Sequence, residues 1–191
     1  MTGFAAHFSN AVVSKNLVQV VYFVLVPVFF LIGAFFSALF TEIRRKRKLS
    51  PVYIHVLSLL AFLYLLVSLF GRADLFGRFG EPLSNFRDFI LLSILTFSCG
   101  AQNALFTHYS NSIIRTTHLT GLTTDLGIGL AKVFVAGDSH EAPINHLRME
   151  LIGFFILGSL VGAFVFPVYE FLGFLLPRPF KSFCFVSSLY N

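Results

Sequence analysis

The sequence predicts an all-α fold, a polytopic transmembrane helical bundle formed by one membrane domain over residues 1–191. Hydrophobic residues make up 56% of the chain and charged residues only 12%, roughly half the charged share of a soluble domain. The mean hydropathy is +0.81. Several uncharged segments also reach the roughly 20 residues that a helix needs to cross a bilayer. A soluble protein of this composition would expose too much apolar surface to stay dispersed.

Four segments are long and apolar enough to be ordinary spans, and in chain order they are 17–40, 52–70, 89–107 and 147–169. The first contains Pro27, which membrane helices tolerate. The last contains a Gly158-x-x-x-Gly162 pair, a pattern that lets two helices approach closely.

A fifth segment, Ile113 to Lys132, is long enough to cross but carries Asp125. A charge at the centre of a span costs about 2.5–3.5 kcal/mol, so this segment is too polar to face lipid. Glycine is a weak helix former, and threonine side chains can bond to nearby backbone groups. We therefore predict a helix that is broken around Thr120-Gly121 and packed against protein.

The charge distribution predicts the orientation. Five basic residues form one run, Arg44 to Lys48, and short basic loops stay on the cytoplasmic side. The loop 71–88 is then periplasmic. The basic run is short and lies between two apolar segments, so we do not expect nucleic-acid binding.

Neither cysteine spacing nor histidine spacing predicts a metal or a cofactor. Cys99 and Cys184 lie far apart in the chain. His140, Glu141 and His146 share one polar loop, but a zinc pair on a helix needs histidines four residues apart. We expect no metal, no cofactor and no enzymatic activity, because no nucleophile is paired with a base.

Two short matches predict an internal duplication. The chain opens with Met1-Thr2-Gly3 and later reads Leu119-Thr120-Gly121, 118 residues on. The spans that follow share Leu31-Ile32-Gly33-Ala34 and Leu160-Val161-Gly162-Ala163, 129 residues apart. The second spacing is longer than the first, and the additional residues of the second half fit in the polar loop 137–146. The predicted repeats are 1–70 and 87–176, an arrangement common in transporters.

Three segments carry a resemblance to a known family: Gly100-Ala101-Gln102-Asn103-Ala104, Arg115-Thr116-Thr117-His118-Leu119-Thr120-Gly121 and Thr124-Asp125-Leu126-Gly127. The chain resembles the YoaK-type family of bacterial membrane proteins, whose function is unknown. The resemblance covers most of the chain, and Met1-Thr2-Gly3 looks like the first-half copy of the family's Thr-Gly motif. It implies a bacterial inner (plasma) membrane location and no particular activity.

Two departures from the family pattern predict a shortened member. Family members usually have a membrane helix before the first Thr-Gly motif, whereas this chain begins on that motif. Near the other end, Pro177-Arg178-Pro179-Phe180-Lys181 interrupts the expected apolar helix.

The candidate binding residues are polar groups at membrane depth: Gln102, Asn103, Thr116, Thr117, His118, Thr120, Gly121, Thr124 and Asp125. The threonines and the backbone freed at a break would bind a solute or ion, or they would only join helices by hydrogen bonds. Asp125 would hold a cation, or it would cap the half-helix or pair with Arg115 or Lys132. His118 would relay protons or be structural. Gln102 and Asn103 would bind a ligand or cross-link helices.

Two functional hypotheses follow. The first is a transporter-like or channel-like protein for a small polar solute or ion, with its site at the broken Thr-Gly helix. The second is a non-transporting membrane scaffold or accessory subunit. The expected partners are the lipid bilayer, a small polar solute or cation, and further copies of the chain in a homo-oligomer.

Overall fold

The computed structural model describes residues 2–48, 53–77, 79–80, 86–110 and 119–175. Within these ranges all regular structure is helical, which confirms the all-α prediction. The elements are α1 (Thr2–Val13), α2 (Leu17–Lys46), α3 (Tyr53–Arg72), α4 (Phe86–Tyr109), α5 (Leu119–Ala136), α6 (Glu141–Tyr169) and a 3₁₀ helix (Glu170–Leu175).

Helices α2 to α6 are long and apolar enough to cross a membrane. Large apolar side chains on their outer faces, such as Phe35 on α2 and Phe154 on α6, are well exposed. Acyl chains cover such side chains without cost in a bilayer. The chain is therefore a multi-pass membrane protein, and the four predicted ordinary spans correspond to α2, α3, α4 and α6.

Helix α2 follows α1 after a tight turn. Asn16 caps α2, because its Oδ1 accepts a hydrogen bond from the Gln19 N–H at 3.2 Å. This bond satisfies one of the free N–H groups at the helix start. Pro27 lies inside α2, which continues to Lys46.

The bundle is built around α4. Helix α2 packs most extensively against it. Helix α3 packs on α4 through a buried cluster of Val56, Leu60, Ala101 and Leu105. The C-terminal end of α3 is covered by a second cluster, which includes Phe171 of the 3₁₀ helix.

The predicted break at Thr120-Gly121 is not observed. Both residues belong to the first turn of α5, which continues to Ala136. One glycine costs a helix about 1 kcal/mol, and the hydroxyls of Thr123 and Thr124 bond to the carbonyls one turn back. Residues 111–118, directly before α5, lie outside the described residues. The repeat boundaries, 1–70 and 87–176, stay a prediction.

Candidate functional site

Helices α2 and α4 run parallel in one constant register. Near their N-terminal ends the Tyr22 ring stacks on the Phe89 ring, 67 positions later. Near their C-terminal ends Glu42 Oε1 lies 3.9 Å from His108 Nδ1, 66 positions later. A shift of 66–67 residues therefore relates the two helices along their contact.

The helices cross at two glycines. A Cβ atom at Gly33 would meet the backbone carbonyl of Phe97, and one at Gly100 would meet the carbonyl of Phe30. Each glycine thus allows the backbone of the other helix to come into contact, as at small-residue crossings in membranes.

Two polar side chains follow this crossing by one turn. Ser37 is completely buried, and its Oγ has no hydrogen-bond partner among the described residues. The same is true of Asn103 Oδ1 on α4. The register places Ser37 level with Asn103, so both polar atoms lie in one region of the α2–α4 interface. We call this region the α2–α4 seam.

Ser37 differs from most hydroxyl residues of the bundle. The hydroxyls of Thr41, Thr96 and Ser98 all donate to the carbonyl four residues back, at 2.8, 2.6 and 2.8 Å. That bond is the usual way for a membrane helix to satisfy a hydroxyl group. The hydroxyls of Ser37 and Ser68 do not make this bond within the described part of the chain.

Charged groups stand at the end of the seam. Arg45 Nη2 lies 2.8 Å from Glu42 Oε2, and the His108 ring lies on the other side of the same carboxylate. These side chains are substantially exposed. They form a polar rim that includes part of the basic run, which is predicted to be cytoplasmic.

The predicted site residues of α5 lie elsewhere. Helix α5 packs against α6, and no comparable packing joins α5 to α4 within the described ranges. Thr120 and Thr124 are exposed, and Asp125 is half-buried. The structure therefore does not bring these three residues together with Gln102 and Asn103. Thr116, Thr117 and His118 lie outside the described residues.

Asp125 does not pair with Lys132. Instead, Lys132 Nζ contacts Glu141 Oε1 at 2.9 Å, and Arg148 Nη1 contacts Glu141 Oε2 at 3.0 Å. Among the residues that the structure covers, Asp125 has no ion pair.

Asn145 holds the hairpin together from within. It is buried, and its Oδ1 accepts a hydrogen bond from Arg148 Nη1 at 2.8 Å. A Cβ atom at Gly129 would meet this same oxygen. Glycine at 129 therefore lets α5 approach the Asn145–Arg148 pair.

Neither Ser37 nor Asn145 was predicted from the sequence as a site residue. Ser37 lies within a long apolar run, and its register against α4 is a property of the packed pair. Asn145 lies in the segment 137–146 that the sequence predicts as a polar loop, whereas the structure places it in the second turn of α6. In the described part of the chain, no three His, Cys, Asp or Glu side chains cluster as metal ligands would.

Comparison with known proteins yields one match. The model of the family described as "Protein of unknown function (DUF1275)" matches residues 1–187. No curated protein matches the chain, and no solved structure does. Because the matched region includes all six helices, the bundle and the α2–α4 seam both lie inside the family's extent, and the chain belongs to the DUF1275 family.

Proposed function

We propose that this chain is a transporter-like or channel-like protein of the bacterial inner membrane that passes a small polar solute or ion. The observation that carries the proposal is the pair of buried, unpartnered oxygens on Ser37 and Asn103. Inside a bilayer each unsatisfied polar group costs several kcal/mol. Polar groups at that depth commonly mark the path of a solute or ion.

The seam favours a particular ligand chemistry. Asn103 Oδ1 is a pure acceptor, and the Ser37 hydroxyl both donates and accepts. A cation, or a neutral solute with its own donor groups, would satisfy both atoms. An anion would be disfavoured, because its negative charge would face the lone pairs of the amide oxygen.

Asp125 is the second part of the proposal. It is half-buried and has no ion pair among the described residues. A carboxylate there would hold a cation or a proton that moves with the solute. Thr120 and Thr124 of the Thr-Gly segment would line the path beside it. The proposal gives the chain no enzymatic reaction.

Flux in proteoliposomes tests this function. The purified full chain is reconstituted, and influx of Na⁺, of protons and of glycerol is followed with entrapped dyes and by light scattering. We expect at least one flux to exceed that of protein-free vesicles and to fall about tenfold or more in Asn103→Leu. Thr123→Val is the matched control, because Thr123 is exposed and its hydroxyl bonds to the Leu119 carbonyl. Folded wild-type protein without flux above empty vesicles for all three probes would contradict the proposal.

A specific observation favours the second hypothesis, a non-transporting scaffold or accessory subunit. The backbone contacts of Gly33 and Gly100 close the α2–α4 interface tightly at the crossing. A scaffold uses such a crossing only for rigidity. It would show no flux, and Asn103→Leu would leave its assembly unchanged. A homo-oligomer, formed through the exposed face of α6, suits either hypothesis.

A further inference from the structure

In both helical hairpins, α1–α2 and α5–α6, a buried small residue of the short helix lies against an asparagine. In the first, Ala11 is buried and its carbonyl accepts the Asn16 N–H at 3.1 Å. Asn16 Oδ1 in turn accepts from the backbone of Gln19. A small residue of the short helix thus meets an asparagine, and the asparagine oxygen accepts a bond from the third residue after it.

The second hairpin has a related arrangement. Gly129 is the buried small residue, and it lies against the Oδ1 atom of Asn145. That oxygen accepts a hydrogen bond from Arg148, the third residue after it. The two arrangements differ in detail. Asn16 is the exposed residue just before α2 and contacts Ala11 through its backbone N–H, whereas Asn145 is buried in the second turn of α6 and meets Gly129 and Arg148 through its side chain.

The equivalent residues occur at the spacings of the sequence matches. Gly129 follows Ala11 by 118 positions, the distance between the two Thr-Gly pairs. Asn145 follows Asn16 by 129 positions, the distance between the two Gly-Ala pairs, and Arg148 follows Gln19 by the same number. The residues that correspond by their contacts are therefore separated by the same numbers of positions as the two pairs of sequence matches.

The contacts of α6 show which way it runs. Its C-terminal end packs near the C-terminal end of α3. Phe171, just after α6, contacts Gly71 and Phe76, and Phe166 stacks on Phe79. Because α3 starts beside the basic run and crosses the membrane, this end of α6 lies on the face opposite that run.

Helix α2 runs the other way. It ends in the basic run, so its first residue lies on the opposite face, where α6 ends. Both helices are apolar enough to span. The turn 14–16, at the start of α2, and the turn 137–140, at the start of α6, therefore lie on opposite faces.

We propose that α1–α2 and α5–α6 are two copies of one hairpin that enter the membrane from opposite faces, with α5 as a re-entrant helix. Helix α5 is antiparallel to α6, so Leu119, ten residues before Gly129, lies level with residue 155 in the middle of α6. Its first turn is thus at mid-membrane depth.

Inverted hairpins add a mode of action to the proposed function. This mode of action rests on the proposed function, whereas the topology does not. Transporters with inverted repeats bind their solute near the midplane and open alternately to the two sides. Here the two Thr-Gly segments would approach the midplane from opposite faces. His7 on α1 and Asp125 on α5, 118 positions apart, would be equivalent groups with access from opposite sides.

Cysteine labelling tests the topology. In a Cys99→Ser, Cys184→Ser background, Ser14→Cys and Ser139→Cys each place one thiol in an exposed turn. Lys46→Cys and Leu75→Cys mark the two faces as references. A membrane-impermeant maleimide is applied to spheroplasts and to inside-out vesicles of cells that express the full chain.

We expect Ser14→Cys and Leu75→Cys to react from one face, and Ser139→Cys and Lys46→Cys to react from the other. Val13→Cys and His140→Cys repeat the comparison if a first variant does not reach the membrane. Labelling of positions 14 and 139 from the same face would overturn the inverted arrangement. Labelling does not depend on flux, so this inference and the proposed function fail separately.

Discussion

Gly33 of α2 and Gly100 of α4 occupy reciprocal positions in one helix crossing. Each lacks a side chain where the carbonyl of a phenylalanine three residues before the other glycine makes contact. The two sequences at the crossing read Phe30-x-x-Gly33-Ala34 and Phe97-x-x-Gly100-Ala101. The crossing therefore has local twofold symmetry, with an axis along the two parallel helices.

This relationship predicts a large loss of stability in Gly33→Ala or Gly100→Ala. A methyl group would overlap a backbone carbonyl, which cannot rotate away as a side chain can. We expect a loss of about 1–3 kcal/mol or more in the free energy of unfolding, measured by denaturant titration in detergent micelles. Gly158→Ala is the control, because nothing lies near that position. Equal stability of Gly33→Ala and Gly158→Ala would contradict the close crossing.

The α5–α6 hairpin offers a matched glycine pair on one helix. Gly129 lies against Asn145 and Arg148, whereas Gly127 has open space around it. Alanine at 129 would displace the charged hydrogen bond between Asn145 and Arg148, a type worth about 1.5–3 kcal/mol. We expect Gly129→Ala to be less stable than Gly127→Ala by about that amount in thermal unfolding. A smaller gap than 0.5 kcal/mol, roughly the floor for a net hydrogen bond, would argue against the hairpin geometry.

The seam predicts an unusual response at Ser37. Its hydroxyl is buried without a partner among the described residues, so Ser37→Ala removes a polar group whose burial costs about 1–3 kcal/mol. We expect ligand-free protein to be unchanged or stabilised by the change. Ser98→Ala is the comparison, because Ser98 Oγ donates to the Ile94 carbonyl at 2.8 Å. It should lose about 0.5–1 kcal/mol. Similar losses in both variants would mean that the Ser37 hydroxyl is already satisfied.

Gly121 tests the continuity of α5. In a regular helix, Gly121→Ala should be neutral or stabilising by up to about 1 kcal/mol, because alanine is the better helix former. Circular dichroism during thermal unfolding of the full chain measures this. A clear loss of stability would restore the break that the sequence predicted, since alanine is strained in a left-handed or unwound conformation.

The sequence was sufficient to predict the spans, because hydropathy over about 20 residues is a local property. It predicted 17–40 for the helix that runs Leu17–Lys46, and 89–107 for the helix that runs Phe86–Tyr109. The ends differ because polar residues extend a helix beyond the hydrocarbon core. The break around Thr120-Gly121 is not shown and stays a prediction. Helical propensity is a weak local preference, and hydroxyl bonds to the preceding turn support the helix there.

The candidate site was predicted only in part. Asn103 was singled out by its polarity within an apolar span, and the structure places it in the α2–α4 seam. That Asn103 lies level with Ser37 could not be predicted, because the register of two helices depends on which surfaces fit together. The two glycines that set this register are 67 positions apart in the chain.

By itself, the sequence determined that this chain is a multi-pass helical membrane protein, because the bilayer admits only segments whose backbone bonds are satisfied internally and whose side chains are apolar. Tertiary packing alone decided which residues of different helices contact each other. Gly33 meets Phe97, and Lys132 pairs with Glu141 rather than Asp125. Contacts between distant residues depend on the mutual fit of whole helix surfaces, which no local pattern of residues specifies.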